Sequence, residues 1–381
     1  MVALFKWARN LTRRAPSLPL LFPSSGFEIV STVYASKYHV LGKLGFGTTS
    51  TVWLARNLLE HKHVALKVYT RDGGDREEFE AYGNLSKANP SHPGYRHVRA
   101  ALDTFVLKHR GGDHHCLVQK PMWDSWRDLL RCNPNNRFTE PLLKAGLKHV
   151  FLALDCLHTE CKLVHTDIKA DNILQDIVDE SILDAFTNEE MESPSPRKIV
   201  NGTPIYASRR FQLPADFGGV VLSDFDSSVR GDRKRNHDAQ PNVYRSPEVM
   251  LKVEWSYPVD IWSVGAMIWD LFEGKHLFYG DDPDGKGYST RAHLAEVVGT
   301  LGPPPLDLLQ CGVRSKEFFT EDGQWKAEAP IPQATSLGES EEYLEGENKK
   351  AFLAFVGSML QWRPEDRKEA KQLLRDPWLN S

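Results

Sequence analysis

Residues 164–174 read Val164-His165-Thr166-Asp167-Ile168-Lys169-Ala170-Asp171-Asn172-Ile173-Leu174, which sets an acid, a lysine two residues on and an asparagine five on. A carboxylate at Asp167 can accept or orient a hydroxyl proton. Lys169 can neutralise charge on a transferring phosphoryl group, and the side-chain oxygen of Asn172 suits a hard metal ion. A second acid, Asp224, directly follows the apolar run Val220-Val221-Leu222-Ser223 and precedes Phe225 and Asp226. An acid at a strand end can ligate a divalent metal. It can equally be a strand-terminating turn residue.

Two features nearer the start concern phosphate. Leu44-Gly45-Phe46-Gly47-Thr48-Thr49-Ser50-Thr51-Val52 sits where a hairpin turn is expected. Its glycines would let the backbone approach phosphate oxygens, although a plain tight turn would use them as well. A dinucleotide fold needs a helix immediately after the glycines, whereas Val52-Trp53-Leu54-Ala55 reads as a strand. Lys67 closes the apolar strand Val64-Ala65-Leu66-Lys67. A lysine there can hold phosphates as a point charge if an acid on the next helix supports it. Among Glu77, Glu78 and Glu80, Glu80 is the expected partner.

The elements that would carry these residues change character along the chain. Residues 38–44, 51–56 and 63–69 are short, rich in β-branched and aromatic residues, and read as a hairpin and a third strand. Residues 75–88 read as a helix, and 98–107 and 114–119 as two more strands. From Thr139 helices dominate: Leu143, Leu147, Val150, Leu154 and Leu157 mark one helical face. Residues 260–272 are apolar on most faces, as a buried helix requires. Residues 176–218 are polar, carry Pro194, Pro196, Pro204 and Pro214, and read as an insertion. The expected architecture is α+β, a small strand-rich lobe followed by a larger helical one.

Composition narrows the function classes. The chain has 381 residues, 26% of them charged and 41% hydrophobic, an ordinary globular mix. With 47 basic and 51 acidic residues, the net charge of −4 carries no bias toward nucleic acid. No apolar run is long enough for a transmembrane helix. Five cysteines, odd in number and irregularly spaced, suit a reducing compartment rather than a disulfide framework. Residues 1–37 begin acid-poor, with Lys6, Arg9, Arg13 and Arg14, and read as an extension or a mitochondrial presequence.

Taken together, these residues resemble the protein-kinase signature set. Tyr244-Arg245-Ser246-Pro247-Glu248 is similar to the family's Ala-Pro-Glu segment, and Asp260-Ile261-Trp262-Ser263-Val264-Gly265 to its core-helix motif. Arg367 would be the buried arginine that pairs with Glu248. Within the family the chain most resembles the SR-protein kinases in their compact fungal form. Ser50 stands where most kinases have a third glycine, Thr166 where most have arginine, and a long insertion separates Asn172 from Asp224. The resemblance implies a bilobal kinase domain over 38–381, with the N-lobe at 38–119, the C-lobe at 123–381 and the insertion at 176–218.

It further implies ATP and Mg2+, with Asp167, Lys169, Lys67 and Glu80 catalytic and Asn172 and Asp224 holding the metal. Leu44, Gly45, Phe46, Gly47, Ser50, Val52, Ala65, Lys120, Met122 and Leu174 would line the nucleotide site, with Gln119 at its back wall. The implied substrates are serines in arginine/serine-rich proteins such as splicing factors. The expected enzyme is a monomer of the cytoplasm or nucleus, with no direct nucleic-acid or membrane partner.

The chain departs from the pattern at Asp226, where glycine is usual. This leaves a scaffold without activity as the alternative reading, because glycine tolerates backbone states costly to aspartate. Between Asp226 and Ser246 the only hydroxyl side chains are Ser227, Ser228 and Tyr244, all at the ends, and no arginine stands at 166 to meet a phosphate. Both point to a kinase that needs no loop phosphorylation. Asp270, Glu273, Asp281, Asp282 and Asp284, against Lys275, offer an acidic groove for arginine-rich peptides or a solvated loop. Ser193-Pro194-Ser195-Pro196 offers a phosphosite or a flexible turn. His114-His115 and His61-Lys62-His63 read as exposed loop histidines. Cys156-Leu157-His158-Thr159-Glu160-Cys161 has metal-ligand residue types without a standard zinc spacing.

Overall fold

The computed structural model describes residues 33–34, 37–70, 76–108, 112–200, 203–333 and 335–381. The expectation for residues 1–37 therefore falls almost wholly outside the described residues. By its internal contacts the chain forms two compact units.

The first unit takes in residues up to Ser86 together with Arg99–Ser125 and Leu174–Val221. Its sheet comprises β1 (Val33–Tyr34), β2 (Tyr38–Phe46), β3 (Ser50–Asn57), β4 (Lys62–Tyr69), β5 (Asp103–Leu107) and β6 (His114–Gln119), in the order β1-β2-β3-β4-β6-β5. All the pairings from β2 to β6 are antiparallel. Tyr38, Val40, Trp53, Ala55, Val64, Leu66, Cys116 and Val118 pack into one buried cluster, the alternation that period-2 patterning sets up. Helix α1 (Arg76–Leu85) follows β4. The strand expected over 98–107 begins only at Asp103, because Val98 ends a short 3-10 turn instead.

The insertion belongs to this strand-rich unit, which corrects the expected lobe boundaries. Strand β9 (Ile173–Ile177) leads into it and β12 (Phe217–Leu222) leads out; with β7 (Met122–Ser125) they form a sheet in the order β12-β9-β7. Between them lie helix α4 (Ser181–Glu192) and the hairpin β10 (Arg197–Val200)/β11 (Thr203–Tyr206). The reason is packing: the Phe186 ring lies so close to Gly42 of β2 that an added Cβ would meet it at 2.8 Å. Arg209 N–H donates to the Lys43 carbonyl at 2.8 Å.

The second unit holds 87–98, 126–173 and 222–381. It contains α2 (Trp126–Cys132), α3 (Glu140–Cys156), the short strands β8 (Leu163–Val164) and β13 (Val229–Arg230), α5 (Pro247–Leu251), α6 (Pro258–Phe272) and α7 (Thr290–Leu301). The five residues expected on one face of α3 and its continuation, Leu143 to Leu157, are all buried. Segment 87–98 joins this unit because Gly94 presses on α3: a Cβ there would fall 1.7 Å from the Leu152 carbonyl oxygen. Of α6, only Pro258 and Asp270 escape burial. An acid, Asp260, is thus fully buried in an apolar helix, which demands hydrogen-bond partners.

Candidate active site

In the strand-rich unit, register lines up the phosphate-binding candidates. Gly45 lies opposite Val52, and Val52 opposite Lys67, across β2, β3 and β4. Because side chains alternate along a strand, Val52, Ala65 and Lys67 share one face. The turn is closed by Gly47 N–H donating to Ser50 O at 2.8 Å. Phe46 at its tip is exposed, Ser50 is buried, and Leu44 and Gly45 are half-buried. Lys67 is half-buried with its Nζ 4.8 Å from the centre of the Tyr69 ring. Glu80 lies on α1 and is exposed.

The segment after β6 carries the adenine candidates. Gln119 is buried and donates to Tyr82 Oη at 3.1 Å, so a polar back wall is satisfied from within the protein. The Lys120 carbonyl accepts from Arg99 at 3.2 Å, and its ammonium meets Asp176 at 2.6 Å. Met122 pairs with Asp176, and Ser125 with Leu174, in the β7–β9 ladder. The sequence thus brings Lys120, Met122 and Leu174 to one small sheet and its edge.

In the helical unit the catalytic-loop residues converge. Lys169 Nζ sits 2.7 and 3.0 Å from the two carboxylate oxygens of Asp167. Asn172 Nδ2 donates to the Asp167 carbonyl at 2.8 Å and to its carboxylate at 2.7 Å, which turns the Asn172 oxygen away from Asp167. Ser223 N–H donates to Asn172 O at 2.9 Å, so the residue before Asp224 is tied directly to this loop. His165 Nε2 meets the Ser223 carbonyl at 3.1 Å, and its ring packs 5.2 Å from Phe225.

Asp260 is the residue that sequence reasoning matched to a motif without giving it a role. Its carboxylate accepts from His165 N and Thr166 N, each at 2.8 Å, and contacts His158 Nε2 at 2.9 Å. An acid in an otherwise apolar helix was the available signal. These bonds hold Thr166 at φ +66°, which a β-branched residue adopts only under constraint. Thr166 Oγ1 also donates to Ser227 O at 2.8 Å, so the residue that replaces arginine fixes the following segment directly. Asp224 takes φ +71°, whereas Asp226 is not among the residues of positive φ. The cost feared for aspartate in the glycine position does not arise there.

The segment from Asp226 to Ser246 is held at several points by groups other than phosphate. β13 pairs with β8, Arg235 exchanges backbone hydrogen bonds with Trp255, and the buried Gln240 holds Ser246, Ser263 and the Val259 carbonyl. Its basic residues are partly neutralised, Arg230 by Asp232 at 2.5 Å and Lys234 by Glu254 at 3.8 Å. The buried ion pair expected between Glu248 and Arg367 forms, at 2.6 and 2.7 Å.

Other expectations are corrected. The acidic stretch is largely engaged: Arg291 holds Asp282 and Asp284, His276 and Tyr244 hold Asp270, and Lys275 bonds Glu342. Glu273 is buried, and desolvation pushes its carboxyl up to about 7. Of the five, Asp281 is the acid that is exposed and outside these pairs, so the stretch does not offer five open carboxylates to a peptide. Ser195 is buried against Glu190 and Arg209 because the insertion folds back on itself, which removes it as an accessible phosphosite; Ser193 remains exposed. His114 is buried in β6 with Nδ1 2.6 Å from Tyr69 O, and the His63 side chain is nearly buried beside Asp184, because both lie on strands rather than in loops. Among the described residues no group of three or more His, Cys, Asp or Glu side chains is placed to hold a metal ion. No described helix is long and apolar enough to cross a membrane.

Comparison with known proteins agrees with this geometry. The sequence matches the protein kinase domain family over residues 38–211 and 213–379. The chain belongs to the protein kinase family. It is 42% identical to a serine/threonine protein kinase of Aspergillus fumigatus over 91% of this chain and 85% of the relative. It is 28% identical to the serine/threonine-protein kinase SRPK of Physarum polycephalum, covering 92% and 87% of the two chains. With SRSF protein kinase 3 of Mus musculus the identity is 23% over 92% and 88%. The crystal structure of a kinase domain shares the fold, with a TM-score of 0.69 at 20% identity over 92% of this chain and 97% of the other. The fold is the bilobal α+β kinase fold, and the chain is a serine/threonine protein kinase, similar to the SR-protein kinases, that uses ATP.

Proposed function

We propose that this kinase phosphorylates serines in arginine/serine-rich protein segments. The observation that carries the catalytic part is the Asp167–Lys169–Asn172 cluster. The Asp167 carboxylate, oriented by Asn172 and by the backbone held on Asp260, accepts the serine hydroxyl proton. The serine oxygen forms a bond to the γ-phosphorus of ATP as the bond from that phosphorus to the bridging oxygen breaks, and ADP leaves. Lys169 offsets charge on the transferred group, and Lys67, backed by Glu80, holds the remaining phosphates.

Asn172 and Asp224 fit a hard divalent ion such as Mg2+. They supply one amide oxygen and one carboxylate, the small protein share usual for an ion whose other ligands are phosphates and water. Such an ion would neutralise phosphate charge. The residues from Leu44 to Val52, with Ala65, Lys120, Met122 and Leu174, are the proposed nucleotide contacts.

The substrate class rests on the relatives named SRPK and SRSF protein kinase. Asp171, directly beside Asn172 with its side chain 47% exposed, offers a carboxylate near the catalytic loop and meets Arg127 only at 3.6 Å. The test is phosphate transfer from radiolabelled ATP to an arginine/serine repeat peptide and to a lysine/serine repeat of the same length. Asp167→Ala serves as the control. Transfer by wild type with preference for arginine supports the reading. Equal use of both peptides removes the substrate class. ATP binding without transfer to either peptide or to a general basic protein favours the scaffold.

A further inference from the structure

Helix α3 does not end as an ordinary α-helix. Leu157–Cys161 form a π turn, closed where Lys162 takes φ +55° and donates its N–H to Leu157 O. An i→i+5 turn stacks residues five apart, which sets Cys156 and Cys161 one above the other. Both are buried, at 1% and 4% exposure, and each thiol is the largest influence on the acidity of the other. Burial penalises the thiolate form at both positions.

The turn feeds the catalytic loop without slack. The Lys162 carbonyl accepts from Gly231 N at 2.9 Å, and Leu163 and Val164 pair with Arg230 and Val229. Two residues beyond Cys156, His158 contacts Asp260 at 2.9 Å, and the same carboxylate holds His165 and Thr166. Any contraction between Cys156 and Cys161 therefore acts on both arms of the segment that places Asp167.

We propose that Cys156 and Cys161 are an oxidisable pair whose disulfide distorts the entry to the catalytic loop and suppresses phosphate transfer. One thiolate of the pair attacks a hydroperoxide oxygen and becomes a sulfenic acid, with release of water when hydrogen peroxide is the oxidant. The sulfur of the other cysteine then displaces the sulfenic oxygen as a second water, and the S–S bond forms. The two thiols lose two electrons and two protons, and the peroxide is reduced to two waters. A disulfide brings the sulfurs to about 2 Å, well inside any non-bonded contact between two thiols. A displacement of about 1 Å in a reacting group can cost about a hundredfold in rate. Burial means that the helix end must open for oxidant to enter, so closure is slow, and reductant is excluded in the same way. The pair would hold its state over time rather than follow rapid fluctuations.

The test uses the full chain with the exposed Cys132 and Cys311 replaced by serine, which removes cross-linking between molecules. The protein is incubated with hydrogen peroxide for increasing times, free thiols are alkylated, and the tryptic peptide of residues 149–162 is weighed. Transfer to a general basic protein is followed in parallel, so the readout does not depend on an arginine-rich substrate. The expected result is a peptide lighter by two hydrogen atoms, a fall in activity of at least tenfold that tracks its formation, and recovery with dithiothreitol. A Cys156→Ala chain should keep its activity under the same treatment. A peptide that stays fully alkylated, or that gains oxygen instead of losing hydrogen, overturns the proposal. So does a disulfide that leaves activity intact. If Cys156→Ala does not fold, the mass, activity and recovery of the chain that retains both cysteines decide the matter.

Discussion

The Glu248–Arg367 pair allows the sharpest test of how the helical unit is held together. Both side chains have no exposed surface. The guanidinium makes two parallel bonds to the carboxylate, at 2.6 and 2.7 Å, and donates further to the Gln361 and Pro258 carbonyls at 3.0 and 3.1 Å. It also lies 5.0 Å from the Trp262 ring centre. Glu248→Ala removes the only anion in this set and leaves a buried cation, at a cost of about 3–5 kcal/mol. Replacing both partners by apolar residues, as in Glu248→Met with Arg367→Leu, removes the stranded charge. The pair variant should therefore lose much less than the sum of the singles. Arg363–Asp307 is the control, because it has the same two-bond geometry at 2.8 and 2.7 Å but lies in solvent. Asp307→Ala should leave the urea midpoint essentially in place. The assay is urea unfolding followed by tryptophan fluorescence, with unchanged slope required for the comparison. A loss below about 1 kcal/mol for Glu248→Ala would refute the claim that this charge pair is desolvated.

Thr166→Val deletes the bond to Ser227 while keeping shape, and should lower turnover severalfold; phosphatase treatment of wild type should leave turnover unchanged, and its loss would show that a phosphate orders the segment. Asp226→Gly should bring no gain in activity, because position 226 has no positive φ to relieve, and should cost up to about 1 kcal/mol through backbone entropy. A tenfold activation in a transfer assay would contradict this. Glu273 retains its proton when folded up to about pH 7 but would lose it near 4.5 when unfolded. Its raised pKa means that stability is lost as pH rises across that window. Glu273→Gln should therefore raise the unfolding midpoint at pH 8 and much less at pH 5, and a pH-independent difference would rule this out.

The catalytic loop was legible because its chemistry is contiguous: Asp167, Lys169 and Asn172 lie within one short run, and their mutual bonds follow from local backbone geometry. The strands of the first sheet were legible from alternation, and α3 and α6 from their apolar faces. What could not be read was which distant partner each polar group would find. Nothing local says that Arg291 turns to Asp282 and Asp284, or that Tyr244 and His276 reach Asp270, so an acidic stretch looked available for a substrate. His114 looked like a loop residue because its partner, the Tyr69 carbonyl, lies on a strand far away in sequence. The insertion looked like part of the helical lobe because it follows the catalytic loop, yet Phe186 and Arg209 fasten it to β2.

The neighbouring placement of β9 and β12 has a consequence for how this chain tolerates change. The excursion between them leaves and re-enters the fold at adjacent strands, so its length sets no distance that the rest of the structure must span. Closing a longer loop between fixed neighbours costs only with the logarithm of its length. The segment can be lengthened, shortened or exchanged while β9 still delivers Asn172 at one end and β12 still delivers Asp224 at the other.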